Sequence, residues 1–223
     1  GLPRLNEPEV ADVAGLIVQR TGVDPALAEQ SARHAQRHIG MAQRLATDAD
    51  ARARREATVR AVLDLRSVSD AVDAAGKIIA IATEDAKALS ADRDVSEREQ
   101  MRRSMGLVEG APVPPAFRSQ LSALKDDQKR RATRSLRDGI DRVLTDLQSV
   151  FRDMLMVQYG RTETLINTEL QIEIAAVGEG WGPERALIAL DAIAATRRSL
   201  QHNAAPLLAV ESMLVTIASG RTP

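Results

Sequence analysis

No cysteine occurs in this chain, so neither a disulfide nor a thiolate metal site can form. Aromatic residues are almost as scarce: Phe117, Phe151, Tyr159 and Trp181 are the whole set. A core must therefore be built from Leu, Ile, Val, Ala and Met. Small side chains let helices approach closely, which favours bundles. Alternating β-branched runs are few, so essentially no sheet is expected. No apolar run approaches the ~20 residues of a membrane span, and Gly1-Leu2-Pro3-Arg4 does not read as a signal peptide. No membrane partner is expected, and the lack of cysteine is compatible with a cytoplasmic location. A net charge of −1 argues against a globally nucleic-acid-binding protein.

What is present suits an all-α protein. The chain has 223 residues, enough for one or two domains, with 44% hydrophobic and 27% charged residues. The spacing predicts a helix over Pro8–Val18 and a second opened by Asp24 with Pro25 in its first turn. Ala49 to Leu65 is expected to continue as helix across a junction, and the charged stretch Ala49–Glu56 reads as a hinge. Val68–Ser90 carries helical apolar spacing, whereas Ala91–Arg103 offers only a thin packing face. Met105–Ala116, with its Gly and Pro residues, reads as a loop. Phe117–Tyr159 is expected to be one long amphipathic helix. Thr164–Val177 is expected to be a shorter one that includes Ile172, followed by a turn over Gly178–Gly182.

Few residues suggest chemistry. No G-x-x-x-x-G-K-[ST] phosphate loop occurs. His34 and His38 have metal-ligand spacing, but Ala35-Gln36-Arg37 between them breaks the H-E-x-x-H pattern. Glu169 and Glu173, one turn apart, read as the wet side of a helix. No catalytic residue, cofactor or metal is expected. Arg52, Arg54 and Arg55 form one basic patch, which reads first as a solvated face; so does the run from Lys125 to Arg137, with i,i+4 ion pairs: Asp126 with Arg130, Asp127 with Arg131, Asp138 with Arg142. No aromatic residue interleaves it, which disfavours base stacking.

The C-terminal stretch Gly182–Ala218 is more specific. An aliphatic helix ends in Arg197-Arg198-Ser199-Leu200. Asn203, Pro206, Leu208-Ala209, Glu211 and Met213-Leu214 follow. This order of residue types resembles the last two helices of bacterial clamp-loader subunits, of the delta-prime type in the DNA polymerase III holoenzyme. A second resemblance lies between Glu7 and Asp48, where His38-Ile39-Gly40-Met41-Ala42-Gln43-Arg44 is similar to a helix of the small lid that follows the nucleotide-binding domain in that family. In the hydrolysing relatives the third residue after the Gly is an arginine that touches the γ-phosphate. Here Gln43 holds that position, and Arg44 is offset by about 100° around the helix. The departure implies a non-hydrolysing subunit.

The resemblance implies a three-helix AAA+ lid over 1–50 and a helical collar over 51–223. It implies sister clamp-loader subunits as partners and DNA only indirectly, through an assembly that is part of a DNA-directed DNA polymerase holoenzyme acting in replication. The chain has no initiator Met and is expected to be the C-terminal portion of a longer protein. Arg197, Arg198, Gln201 and His202 are the expected partner-binding residues, flanked by Glu184–Asp191, with Trp181 either a core plug or an interface anchor. Two readings from other classes stand beside this one. The first is an all-α DNA-binding regulator using the Lys125–Arg137 face, and the second is a helical metalloenzyme.

Overall fold

Most helices begin at a side chain able to accept from the first free amides. The computed structural model describes residues 8–107 and 114–220, and among these residues every regular element is helical. The all-α expectation therefore holds. Helix α1 (Val10–Thr21) opens with the Glu9 amide donating to the Asp12 carboxylate and runs until Gly22, whose φ of 68° ends it. Helix α2 (Pro25–His34) is capped by Asp24, whose Oδ1 accepts from the amides of Ala26 at 2.9 Å and Leu27 at 3.2 Å. The His38 ring caps α3 (Ile39–Thr47) by accepting from the Met41 amide. Asp48 is extended and caps α4 (Ala49–Leu63), so the helix across the junction starts afresh at Ala49 and stops two residues short of Leu65.

Helix α5 is longer than its apolar pattern predicts. Capped by Ser67, it runs without interruption from Val68 to Ser104 and absorbs the charged Ala91–Arg103 segment. Cross-helix bonds explain the extension. Arg131 of α6 (Arg118–Gln158) bonds Asp94 and Glu97, and Gln128 donates to the Asp94 carbonyl at 3.0 Å. The expected loop over 105–116 falls partly on residues 108–113, which lie outside the described residues.

The shorter helix predicted over 164–177 is replaced by two 3-10 turns, Thr162–Thr164 and Thr168–Leu170, leading into α7 (Gln171–Gln201). The glycines there do not form the expected turn. Gly178 is helical and buried because α6 passes so close that an added Cβ would sit 3.0 Å from Met154 Cγ. Only Gly182, at φ 71°, breaks the helix, just ahead of Pro183. Ile172 is 83% exposed and so lies off the core face on which the pattern put it. Asn203, at φ 64°, ends α7 in a Schellman motif: the Ala204 amide reaches the Ser199 carbonyl and the Asn203 amide reaches that of Leu200. Pro206 then opens α8 (Pro206–Ser219).

Helices α5 to α8 alternate in direction and close into a four-helix bundle, with α8 returning against α5. Its core holds Ile78, Ile140, Leu144, Leu147, Phe151, Met154, Ile174, Ile193, Leu214 and Ile217, all at 2% exposure or less. Alanines thin the α5 and α7 faces, and at the tightest crossing Gly139 lies against the Ala82 carbonyl. A separate apolar cluster joins α1, α2 and α3 through Val13, Ile17, Ala28, Ala32, Ala42 and Leu45, ending at Ala51 in α4. The contact between these two cores is polar.

Candidate functional site

The two apolar clusters meet across a cavity of about 390 Å³ lined by α2, α3, α4, α5 and α6. Its floor is one carboxylate. Asp85 of α5 accepts both Nη groups of Arg44, the Arg54 Nε at 2.9 Å and the Arg142 Nη2 at 3.1 Å. Burial alone would push the Asp85 carboxyl up, but Arg44, Arg142 and Arg54 outweigh it and hold the pKa below the ordinary aspartate value. The Arg142 Nε is buried with no protein acceptor.

A second carboxylate lies one step along α6. Asp146 faces the Arg55 Nε at 3.0 Å, yet burial pushes its pKa up to about 6 against the opposing pull of Arg55 and Arg142. Arg55, only 7% exposed, also donates through Nη2 to Asn167 Oδ1 at 2.5 Å. Asn167 is fully buried and passes the network on: its Nδ2 donates to Ser149 Oγ at 3.0 Å and to Asp153 Oδ2 at 2.9 Å. Asp153, also fully buried, accepts the backbone amides of Ile166 and Asn167 and the Arg152 Nη1. This fixes the 160–170 segment against α6, so that α4 and the first core have a polar counter-surface.

The edge of the junction carries His34 of α2. Its Nε2 is 2.8 Å from Glu169 Oε1, an ion-pair distance without hydrogen-bond alignment. Burial lowers the His34 pKa despite Glu169. Burial also raises the Glu169 carboxyl, but His34 more than compensates and the net shift is downward. His34 and His38 both line the cavity, but the His38 Nδ1 accepts from the Met41 amide to cap α3, while His34 faces Glu169. Among the described residues no group of three or more His, Asp or Glu is placed to hold a metal ion. The arrangement can clamp two helical units in one orientation; it contains no nucleophile paired with a base.

The segment read as a contact-poor hinge, Ala49–Glu56, is therefore one of the most bridged parts of the chain. Ala51 is buried, Arg52 donates to the Leu45 and Ala46 carbonyls, and Arg54 and Arg55 reach α5 and α6. Arg54 and Arg55 face inward across the junction, whereas Asp50 and Glu56 stay on the solvent side.

The candidate partner residues separate. Arg197 is held within the chain, bonding Asp141 Oδ1 at 3.0 Å, Gln148 Oε1 at 2.7 Å and Thr145 Oγ1 at 2.5 Å on α6. Arg198, Gln201 and His202 are exposed at the end of α7, where the His202 ring lies 2.7 Å from the Arg198 carbonyl. Trp181 is half-buried away from them. It stacks on Phe151 with ring centroids 6.0 Å apart, and the Arg185 guanidinium covers its outer face at 3.9 Å. The i,i+4 pairs expected on α6 do not form. Arg130 instead pairs with Asp127, Arg131 crosses to α5, and Arg142 reaches Asp85.

Arg55 enters the sequence reading only as part of a basic patch with Arg52 and Arg54, and Asp85, Asp146, Ser149, Asp153 and Asn167 do not enter it at all. A signal existed: Arg55 shares an i,i+4 stripe with Ala51 and Val59. Asp146, Ser149 and Asp153 recur at helical spacing along one edge of the apolar face formed by Ile140, Val143, Leu147, Val150 and Met154. No protein-family model, curated protein or solved structure matches this chain significantly.

Proposed function

We propose that the chain is the lid-and-collar portion of a non-hydrolysing, delta-prime-like clamp-loader subunit. It assembles with sister subunits in the cytoplasm so that the complex loads a sliding clamp onto primed DNA. The residue patterns at the two ends of the chain motivate this reading. The observation that carries the non-catalytic part is the fate of Arg44. The guanidinium nearest the γ-phosphate position of the hydrolysing relatives is held by Asp85, on the bundle side of α3. Together with Gln43, this supports a subunit that positions others and does not turn over ATP.

Assembly then falls to the exposed end of the bundle. Arg198, Gln201 and His202 project beside the α7–α8 turn, and Leu207 and Leu208 at the start of α8 expose 46% and 65% of their surface. Tagged chain retrieved from native lysate is expected to carry other clamp-loader subunits. Arg198→Glu with Gln201→Glu is expected to reduce that recovery at least tenfold without changing Tm. Recovery without any clamp-loader subunit overturns the assignment, and full recovery with the double variant moves the interface elsewhere. Titration of the chain with Mg-ATP is expected to be flat; micromolar binding abolished by Arg44→Ala contradicts the non-hydrolysing reading.

A further inference from the structure

Beyond the bundle core, α5 and α6 continue as a two-helix arm. Among the described residues the last core residue on α5 is Ala86 and the first on α6 is Gly139, with Leu136 packing at its edge. The helices run on to Ser104 and back to Arg118, so the arm extends about 27 Å at 1.5 Å per residue. Charge is segregated onto it. Residues 87–137 contain 12 Lys and Arg against 7 Asp and Glu, a surplus of +5; with −1 for the whole chain, the remainder is −6.

Much of that positive charge is already engaged. Arg93, Arg103, Arg130 and Arg131 pair with carboxylates of the arm itself, and Arg137 donates to Asn203. The basic surface is therefore narrower than the Lys125–Arg137 run. Arg118, Lys125 and Lys129 are exposed, and no hydrogen bond or ion pair engages their side chains among the described residues. At 100° per residue they fall within about 40° of one another on α6, and no acidic residue shares the stripe. Lys87 of α5, paired with Glu84 at 3.4 Å, faces this stripe across a shallow groove that Lys129 also lines.

We propose that this stripe docks the arm on the sugar–phosphate backbone of duplex nucleic acid. An acidic protein surface is the poorer fit, because protein interfaces need an apolar centre and, among the described residues, Val95 is the one large exposed hydrophobic residue of the arm. A single strand is also a poorer fit. Stacking platforms are missing: Phe117 is half-buried at the start of α6 and no other aromatic residue lies on the arm. Unpaired cations without aromatic or apolar anchors match phosphate contact without base readout. The inference does not depend on the clamp-loader assignment, since it concerns the purified chain alone and side chains other than Arg198, Gln201 and His202.

Fluorescence anisotropy with a 30-base-pair DNA duplex tests it, at several salt concentrations. Binding is expected to weaken with salt, with a log–log slope near −3 for about three phosphate contacts. Arg118→Gln/Lys125→Gln/Lys129→Gln is expected to lose at least tenfold in affinity and about 0.9 of slope per residue, with Tm unchanged because these side chains hold nothing in the fold. No duplex binding at 50 mM salt, or equal binding and slope in the triple variant, overturns the proposal. So does competition by polyglutamate or single-stranded poly-dT as effective as competition by unlabelled duplex.

Discussion

Replacing Asp146 by Asn should reverse the pH response of the polar junction. The folded-state pKa of Asp146 is about 6 against 3.8 for the unfolded chain, and burial is the chief cause. The native state therefore binds this proton more tightly than the unfolded state, so stability falls as pH rises between these two values. At pH 7.5 the carboxylate is charged in both states and the full burial cost is present. At pH 4.5 it is largely protonated when folded and still mostly ionised when unfolded. Linkage then gives a relief of about 2 kcal/mol between pH 7.5 and 4.5. For a chain of this size that is about 4–8 °C in Tm. Asp146→Asn preserves the shape and keeps an oxygen toward Arg55, but it cannot titrate. His34, whose pKa is lowered, contributes the opposite slope below pH 6.5, and Asp85 and Glu169, both lowered, lose their contributions only at lower pH. All three remain in the variant and cancel in the comparison. Thermal denaturation of both proteins from pH 4.5 to 7.5 should show wild type gaining about 2 kcal/mol on the variant as pH falls. Parallel curves would refute the reasoning, because they would mean that Asp146 is hydrated and ordinary.

Two further substitutions test the packing and the placement of the arginines. Gly139→Ala puts a Cβ 2.9 Å from the Ala82 carbonyl oxygen, so overpacking of about 1–3 kcal/mol should exceed the helix-propensity gain of about 1 kcal/mol and lower Tm. Gly76→Ala, in open space on α5, should instead raise Tm by about 2–4 °C, and equal shifts in the two variants would show that α5 and α6 do not approach this closely. Arg197→Ala should cost about 1–2 kcal/mol through its lost bonds to α6, whereas Arg198→Ala should stay within about 0.5 kcal/mol; matching losses would contradict the separation of the two residues.

Periodic apolar spacing carried most of the helix assignments, because burial on one face repeats every 3.6 residues whatever lies opposite. That is why α6 was legible from Phe117 to Tyr159 within a residue at each end. The failures share a cause in long-range contact. The far half of α5 has little apolar face of its own and is helical because Arg131 and Gln128 of α6 satisfy it. Gly178 and Gly180 look like a turn in sequence, but Gly178 sits inside a helix because Met154 and Gln158 press against it. The junction was the least legible part. Arg44, Arg54, Asp85 and Arg142 are scattered over about a hundred residues, and each alone looks like an ordinary surface charge. The periodic pattern places residues on faces but does not say which charged face will meet another.

That meeting of charged faces has a physical consequence for how the first three helices sit on the bundle. Dehydrating a guanidinium and a carboxylate costs much of what their attraction returns, so the Asp85 cluster contributes little net stability compared with an apolar seam. Misalignment is penalised far more steeply. Arg44, Arg54 and Arg142 converge on the two oxygens of one side chain, and any rotation that removes one of them strands a part-buried charge. The offset between Gln43 and Arg44 is the sharpest case. Moving the cation back by one residue turns it about 100° around α3 and off Asp85, leaving that carboxylate with two arginines in place of three. The arginine at position 44 is thus a register device of the fold. That one position helps fix the orientation of the two cores in space.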